Sequence, residues 1–141
     1  MKKLIAVLFL AVSLPAFSQN IHVTVTGVEN SKGKLMLGVF TSNENFKEEK
    51  PVKKMSFSKT KFSNGKLSFS LSLEPGTYGL SVYDDENSNQ KMDYNWVHIP
   101  VEGFGFSDFY LSGMSRPTFD DFKFTVKEGE SKRITIKMRY L

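Results

Sequence analysis

Leu67-Ser68-Phe69-Ser70-Leu71-Ser72-Leu73 alternates apolar and hydroxyl side chains without a break. Successive side chains of a strand point to opposite faces, so this stretch offers one face to a core and the other to water, whereas a helix would scatter the same apolar residues around its girth. The flanks agree. Asn64-Gly65 precedes it, and both residues tolerate the positive φ that a type I′ hairpin turn requires. Pro75-Gly76 follows it, a pair suited to a type II turn with Gly supplying positive φ.

The same period of two recurs along the chain. Ile21, Val23 and Val25 alternate with His22, Thr24 and Thr26; Phe122, Phe124 and Val126 with Lys123 and Thr125; Ile134, Ile136, Met138 and Tyr140 with Thr135, Lys137 and Arg139. Residues 34–41, 54–60 and 77–83 complete seven expected strands, with Ser31-Lys32-Gly33 and Glu128-Gly129-Glu130 closing further connections. The expectation is an all-β fold: an antiparallel β-sandwich of about seven strands, immunoglobulin-like or transthyretin-like, with one long ordered loop. No helix is required, although residues 43–49 suit a turn or two. The strands fall short of the roughly 9–11 residues that cross a bilayer and lack consistent aromatic girdles, which argues against a membrane barrel.

Ahead of the strands, Lys2 and Lys3 precede an apolar run from Leu4 to Leu14, and Ala16-Phe17-Ser18 carries small residues at the two positions a signal peptidase reads. Residues 1–18 are therefore expected to be a signal peptide and 19–141 a single domain, periplasmic or secreted. Of 19 basic and 15 acidic residues, two basic ones leave with the leader, and the remaining Lys and Arg are scattered, many on the polar sides of strands. No nucleic-acid interface is expected from such a distribution, and no later apolar run is long enough to span a membrane. Cysteine is absent, which excludes disulfides, thiol nucleophiles and Cys-ligated metal, and leaves stability to packing with the help of a metal held through oxygen.

Between Tyr83 and Thr118 the alternation stops, yet Tyr94, Trp96, Phe104, Phe106, Phe109 and Tyr110 fall in this stretch. Aromatics are costly to leave in water, so the segment is expected to fold over one end of the sandwich. It opens with Asp84-Asp85-Glu86-Asn87-Ser88-Asn89-Gln90-Lys91-Met92-Asp93. Counting from Asp85, oxygen-bearing side chains stand at positions 1, 3, 5 and 9 (Asp85, Asn87, Asn89, Asp93), and Lys91 offers its carbonyl at position 7. This spacing lets a turning loop converge on a hard cation, and calcium suits its amide, carboxylate and carbonyl oxygens better than magnesium does. Gln90 and Trp96 occupy the positions where an EF-hand carries Gly and a bidentate Glu, so the loop is not an EF-hand. Glu102, Asp84 and Glu86 are the candidates for the missing carboxylate. The expected affinity is weak, on the order of 10⁻⁴ to 10⁻³ M. The bland alternative is a polar Asx-rich turn that binds nothing.

Leu73-Glu74-Pro75-Gly76-Thr77-Tyr78, the acidic loop, Trp96, Ile99-Pro100, Glu102-Gly103-Phe104-Gly105-Phe106-Ser107 and the block from Arg116 to Phe122 together resemble the domain of unknown function 2141 family over nearly all of the chain beyond the leader. Typical members read His-Asp-Glu-Asn-Gly-Asn-Gly at the loop; here Asp84 replaces the His, and Ser88 and Gln90 replace the two Gly. The resemblance implies an exported bacterial protein and brings no established activity.

Two functions from different classes follow. The first is a non-catalytic, calcium-stabilised module that binds a protein or glycan through residues 84–118, with Trp96, Phe104 and Phe106 as a stacking platform or, equally, as the loop's own small core. The second is a small hydrolase using carboxylates of the same loop. No nucleophile elbow, zinc-binding helix or dinucleotide motif is present, and His22 and His98 read as hydrogen-bonding residues, so an enzyme is the less favoured expectation.

Overall fold

The computed structural model describes residues 20–141; the expected leader, 1–18, lies outside them. Eight strands are described: β1 Ile21–Thr26, β2 Lys34–Phe40, β3 Lys53–Ser58, β4 Leu67–Leu71, β5 Gly76–Asp85, β6 Phe104–Phe106, β7 Lys123–Val126 and β8 Lys132–Lys137. They form a β-sandwich. One sheet has the order β4-β1-β8; the other runs β3-β2-β5-β6, with β7 also paired to β5. The inward residues are those that the alternation selects: Ile21, Val23, Val25, Leu67, Leu71, Ile134 and Ile136 pack against Leu35, Leu37, Val39, Leu80, Val82 and Val126. Phe57 and Phe69 stack across the two sheets at 4.1 Å between ring centres.

Several expectations are corrected. The eighth strand, β6, lies inside the stretch read as loop; three residues are too few for a pattern of period two to declare itself. One pair, β1 with β8, is parallel, because the chain's last strand returns beside its first in the same direction. The Asn64-Gly65 hairpin forms with φ of +51° and +70°. Gly76, by contrast, opens β5 in ladder with Val126 and is not among the residues of positive φ, so Pro75-Gly76 makes no type II turn. Asp84 and Asp85 end β5 rather than opening the loop, β8 stops at Lys137 rather than Tyr140, and Phe122 belongs to a short helix, α2 Phe119–Phe122. The other helix, α1 Asn43–Lys47, starts where Ser42 Oγ accepts the Asn45 N–H at 3.2 Å and Asn45 returns the bond to the Ser42 backbone.

The long excursion does not cover an end of the sandwich. It covers the outer face of the five-stranded sheet, where Phe40, Phe46, Phe104, Phe106, Phe119 and Phe122 form a second core roofed by α1 and α2. In β6 the phenylalanines face this outer core and Gly105 faces inward, where an added Cβ would lie 2.7 Å from Ile136 Cγ2 and 2.9 Å from the Lys137 carbonyl. Ser107, directly after β6, is buried; its Oγ accepts the Leu80 N–H at 2.9 Å and donates to the Phe122 carbonyl at 2.6 Å, tying β5 to α2.

The expectation that Lys and Arg sit on solvated faces fails at Lys59. Its side chain is fully buried and paired with the equally buried Asp84. Its Nζ also donates to Asn30 Oδ1 at 3.1 Å, and Asn30 in turn donates to Glu86 Oε1 at 2.8 Å. Tyr140 O–H donates to Asp84 Oδ2 at 2.6 Å. Burial, reinforced by this bond to a carboxylate, holds the Tyr140 phenol well above its usual range.

Candidate functional site

Asp84 and Asp85 are both fully buried, and as neighbours on one strand they face opposite ways. Asp84 enters the sandwich core. Asp85 lies on the outer face among Lys34, Met36, Ser56, Ser88 and Gln90, and there it organises the acidic loop. Its Oδ1 accepts the Asn89 N–H at 3.0 Å and its Oδ2 the Gln90 N–H at 2.9 Å. Asn87 Oδ1 accepts the Asn89 N–H at 3.0 Å and Asn89 Oδ1 the Lys91 N–H at 2.9 Å, two successive Asx turns that curl the chain. Asp93 closes the curl, accepting from Asn87 Nδ2 at 2.7 Å and from Asn89 Nδ2 at 2.8 Å.

The structure thus brings Asp85, Asn87, Asn89 and Asp93 together. Lys91 contributes its backbone N–H to Asn89. Of the three candidates for a further carboxylate, Asp84 is turned into the core and Glu86 is bonded to Asn30. Glu102 is the one that joins: its Oε2 accepts the Asp93 N–H at 3.2 Å. Glu102 is 6% exposed, and its Oε1 is buried without a hydrogen-bond partner among the described residues. Burial holds the Glu102 carboxyl above the ordinary carboxylate range, and Asp93 and Asp85 push it further the same way. Tyr83 stands amid the same negative charge; burial, then Asp85, Glu102 and Asp93, push its phenol up to about 12. Among the described residues, no three His, Asp or Glu side chains already stand in metal-holding geometry. The amide N–H groups of Asn87 and Asn89 occupy the Asp93 carboxylate instead.

Beside this loop lies an open cleft of about 740 Å³ on the outer face of the sheet. Met36, Gly38, Ser81 and Tyr83 belong to its floor, and Met92, Tyr94, His98 and Pro100 bring the excursion along one side. Arg116 borders it, stacked 4.7 Å above the Phe46 ring and donating to the Phe46 carbonyl at 2.8 Å. The three aromatics singled out in the sequence separate. Phe104 and Phe106 are buried in the outer core, where Phe106 meets Phe122 at 5.0 Å, and only their edges reach the cleft. Trp96 is 92% exposed, and Val97 and Val101 of the same segment are exposed as well.

The pattern described as an uncharacterized protein conserved in bacteria (DUF2141) matches residues 23–135, most of the chain. The chain belongs to the DUF2141 family. No curated protein and no solved structure matches it. At the loop, Ser88 and Gln90 adopt left-handed backbone with φ of +59° and +63°. This DUF2141 protein holds with side-chain hydrogen bonds a curl for which glycine would be the unstrained choice.

The sequence reading missed Lys59 and Tyr83. A signal for Lys59 existed: it continues the inward parity of Met55 and Phe57 by one more step. Little in the local sequence marks Tyr83, because apart from Asp85 the carboxylates that surround it, Glu49, Asp93 and Glu102, come from other parts of the chain.

Proposed function

We propose that the protein is an exported, non-catalytic binding module, periplasmic or secreted, that takes a partner polypeptide in the cleft on the outer face of its five-stranded sheet, with a calcium ion fixing the acidic loop beside it. The observation that carries the reading is the orphaned, buried Glu102 Oε1 beside Asp93, next to a segment that borders the cleft through Met92, Tyr94, His98 and Pro100 and exposes Trp96. A buried carboxylate oxygen without a donor costs free energy that a dication would recover. Asp85, Asn87, Asn89, Asp93, the Lys91 carbonyl and Glu102 supply oxygens of the kind calcium takes. To bind, Asn87 and Asn89 turn their amide oxygens toward the ion in place of their N–H groups, and this rearrangement accounts for weak affinity.

The rim favours a polypeptide over a glycan. Trp96, Val97 and Val101 are exposed on the segment that borders the cleft and Met114, also exposed, lines it, and these aliphatic and thioether groups match apolar side chains better than sugar hydroxyls. Lys54 and Lys91 border the cleft and make no ion pair among the described residues, which favours a partner carrying acidic groups. Catalysis is the weaker reading because both Asp85 oxygens are engaged by backbone N–H groups, leaving that carboxylate poorly placed as a base.

A random peptide library displayed on phage and panned against the immobilised protein in millimolar calcium tests this. The expected outcome is enrichment of apolar sequences bearing Asp or Glu, lost with Trp96→Ala and weakened by chelator. Enrichment of nothing, or a glycan array that lights up in a Trp96-dependent manner, overturns the polypeptide reading; turnover of an ester or glycoside panel overturns the non-catalytic one.

A further inference from the structure

The buried pair of Lys59 and Asp84 is used by none of the above. Its surroundings carry an inference of their own. The two side chains meet in the sandwich core with no solvent exposure, joining the short turn after β3 to the end of β5. An ion pair in such a place is a poor stabiliser, since each charge has been stripped of water and only the other repays it. The neighbours are arranged about the contact asymmetrically. Asn30 Oδ1 holds Lys59 Nζ at 3.1 Å from one side, while the Tyr140 hydroxyl, at 2.6 Å, is bonded to Asp84 Oδ2, leaving Oδ1 to the lysine. A hydrogen-bond donor fixed on one carboxyl oxygen and an amine fixed on the other side of the same group is the arrangement for acyl transfer to nitrogen.

We propose that Lys59 and Asp84 join in an intramolecular amide, a covalent staple across the core of a chain that has no cysteine. Within the pair, one ammonium proton passes to Asp84 Oδ1, and the neutral amine attacks Cγ. The new N–C bond forms as the bond from Cγ to Oδ1 breaks. The departing hydroxyl takes a second proton from the nitrogen and leaves as water. One N–H remains, and the amide carbonyl oxygen is the former Oδ2. No oxidant, reductant or cofactor enters the balance. Tyr140 stabilises the negative charge that develops on Oδ2 during the attack. The product replaces two buried charges by one neutral dipole whose oxygen already has the Tyr140 donor and whose N–H has Asn30 Oδ1 within reach. Exclusion of water from the core then protects the bond from hydrolysis.

Intact mass spectrometry of the full purified protein, under denaturing conditions, decides it. The expected mass is lower than that of the same chain's sequence by one water. Digestion should give a single branched peptide that contains both Lys59 and Asp84, with no tryptic cleavage at Lys59. Asp84→Ala and Lys59→Met should each appear at the full mass of their sequences, and Asp84→Asn should lose ammonia in place of water. Because the wild-type measurement stands without any variant, a variant that fails to fold leaves the test intact. A wild-type mass equal to its sequence, with tryptic cleavage after Lys59, overturns the proposal and leaves a buried ion pair. The result is independent of calcium and of the cleft.

Discussion

Calcium binding at the acidic loop makes a prediction whose size follows from the site. Three carboxylates, those of Asp85, Asp93 and Glu102, gather there with two amides, and the amides are committed to Asp93 in the absence of an ion. That count and that competition place the dissociation constant on the order of 10⁻⁴ to 10⁻³ M, the range of weak extracellular sites. An ion that binds the folded chain alone adds RT ln(1 + [L]/Kd), so about 10 mM calcium should contribute about 1.4 kcal/mol at the weak end and about 2.7 kcal/mol at the tight end. For a domain of this size, one kcal/mol moves the melting temperature by about 3–6 °C, so the rise should be at least about 4 °C. Thermal unfolding followed by far-UV circular dichroism, in calcium, magnesium and chelator, measures it. Asp85→Asn combined with Asp93→Asn should remove the rise, and Glu102→Gln should reduce it. A wild-type melting temperature indifferent to calcium, or a rise that magnesium or the double variant reproduces in full, refutes the reasoning and leaves a hydrogen-bonded Asx turn.

Other outcomes follow from contacts elsewhere. Ser107→Ala leaves the Leu80 N–H and the Phe122 carbonyl without their buried partner, and should cost about 1–3 kcal/mol in urea unfolding; a change within error would mean that α2 is held by its phenylalanines alone. Phe46→Ala removes a ring packed on Phe40, Phe106 and Phe122 and should cost about 3–5 kcal/mol, whereas Trp96→Ala, at an exposed site, should change stability by less than about 0.5 kcal/mol while abolishing any peptide binding. Ser88→Gly and Gln90→Gly relieve left-handed backbone at the two positive φ values, and each should stabilise by up to about 1 kcal/mol, read as a raised urea midpoint. Tyr83, like Tyr140, should resist ionisation in an absorbance titration, with its phenol up at about 12 against an ordinary 10.0. Since the folded state keeps that proton while the unfolded state loses it, the Tyr83 contribution to stability falls as pH rises from 10 and levels off above about 12; Tyr83→Phe should make that part of the curve shallower, and an unchanged curve would show that neither burial nor the carboxylates raise this phenol.

The sandwich was legible because its core strands bury one face each, and a one-sided strand writes its fold as alternation. Ile21, Val23 and Val25, or Leu67 and Leu71, need no knowledge of their partners to be assigned inward. The five-stranded sheet was harder to read, since it is covered on both faces. Phe40, Phe104 and Phe106 serve the outer core while Leu35, Leu37 and Leu80 serve the inner one, and between such faces alternation weakens. This is why β6 passed for loop and why the aromatics were placed over an end of the sandwich instead of against the sheet. At the candidate site, the side chains of Asp85, Asn87, Asn89 and Asp93 were legible from spacing, because an Asx-rich curl is local. Glu102 emerged only as one of three candidates. Its selection depends on Asp84 being drawn into the core by Lys59 and on Glu86 being bonded to Asn30, both long-range events.

Parity along the strands also explains how one acidic run can serve two unrelated ends. Met55, Phe57 and Lys59 share one face of the chain; so do Leu80, Val82 and Asp84, and so do Ile134, Ile136, Met138 and Tyr140. In each series a polar residue takes the last inward step, where the apolar core runs out near the end of the sandwich. A polar group alone at such a step would cost free energy, but three of them converging satisfy one another. The step from Asp84 to Asp85 then crosses the sheet. Whatever fixes Asp84 to Lys59 therefore also fixes the backbone from which Asp85 reaches the Asn89 and Gln90 N–H groups, so the inner pair anchors the outer loop without touching it. Asp84→Ala should accordingly weaken the response to calcium as well as stability, whereas Asp85→Asn should weaken the response to calcium and leave the mass of the Lys59–Asp84 pair unchanged. A calcium response that survives Asp84→Ala at full size would separate the two faces of β5 and confine each cluster to its own side.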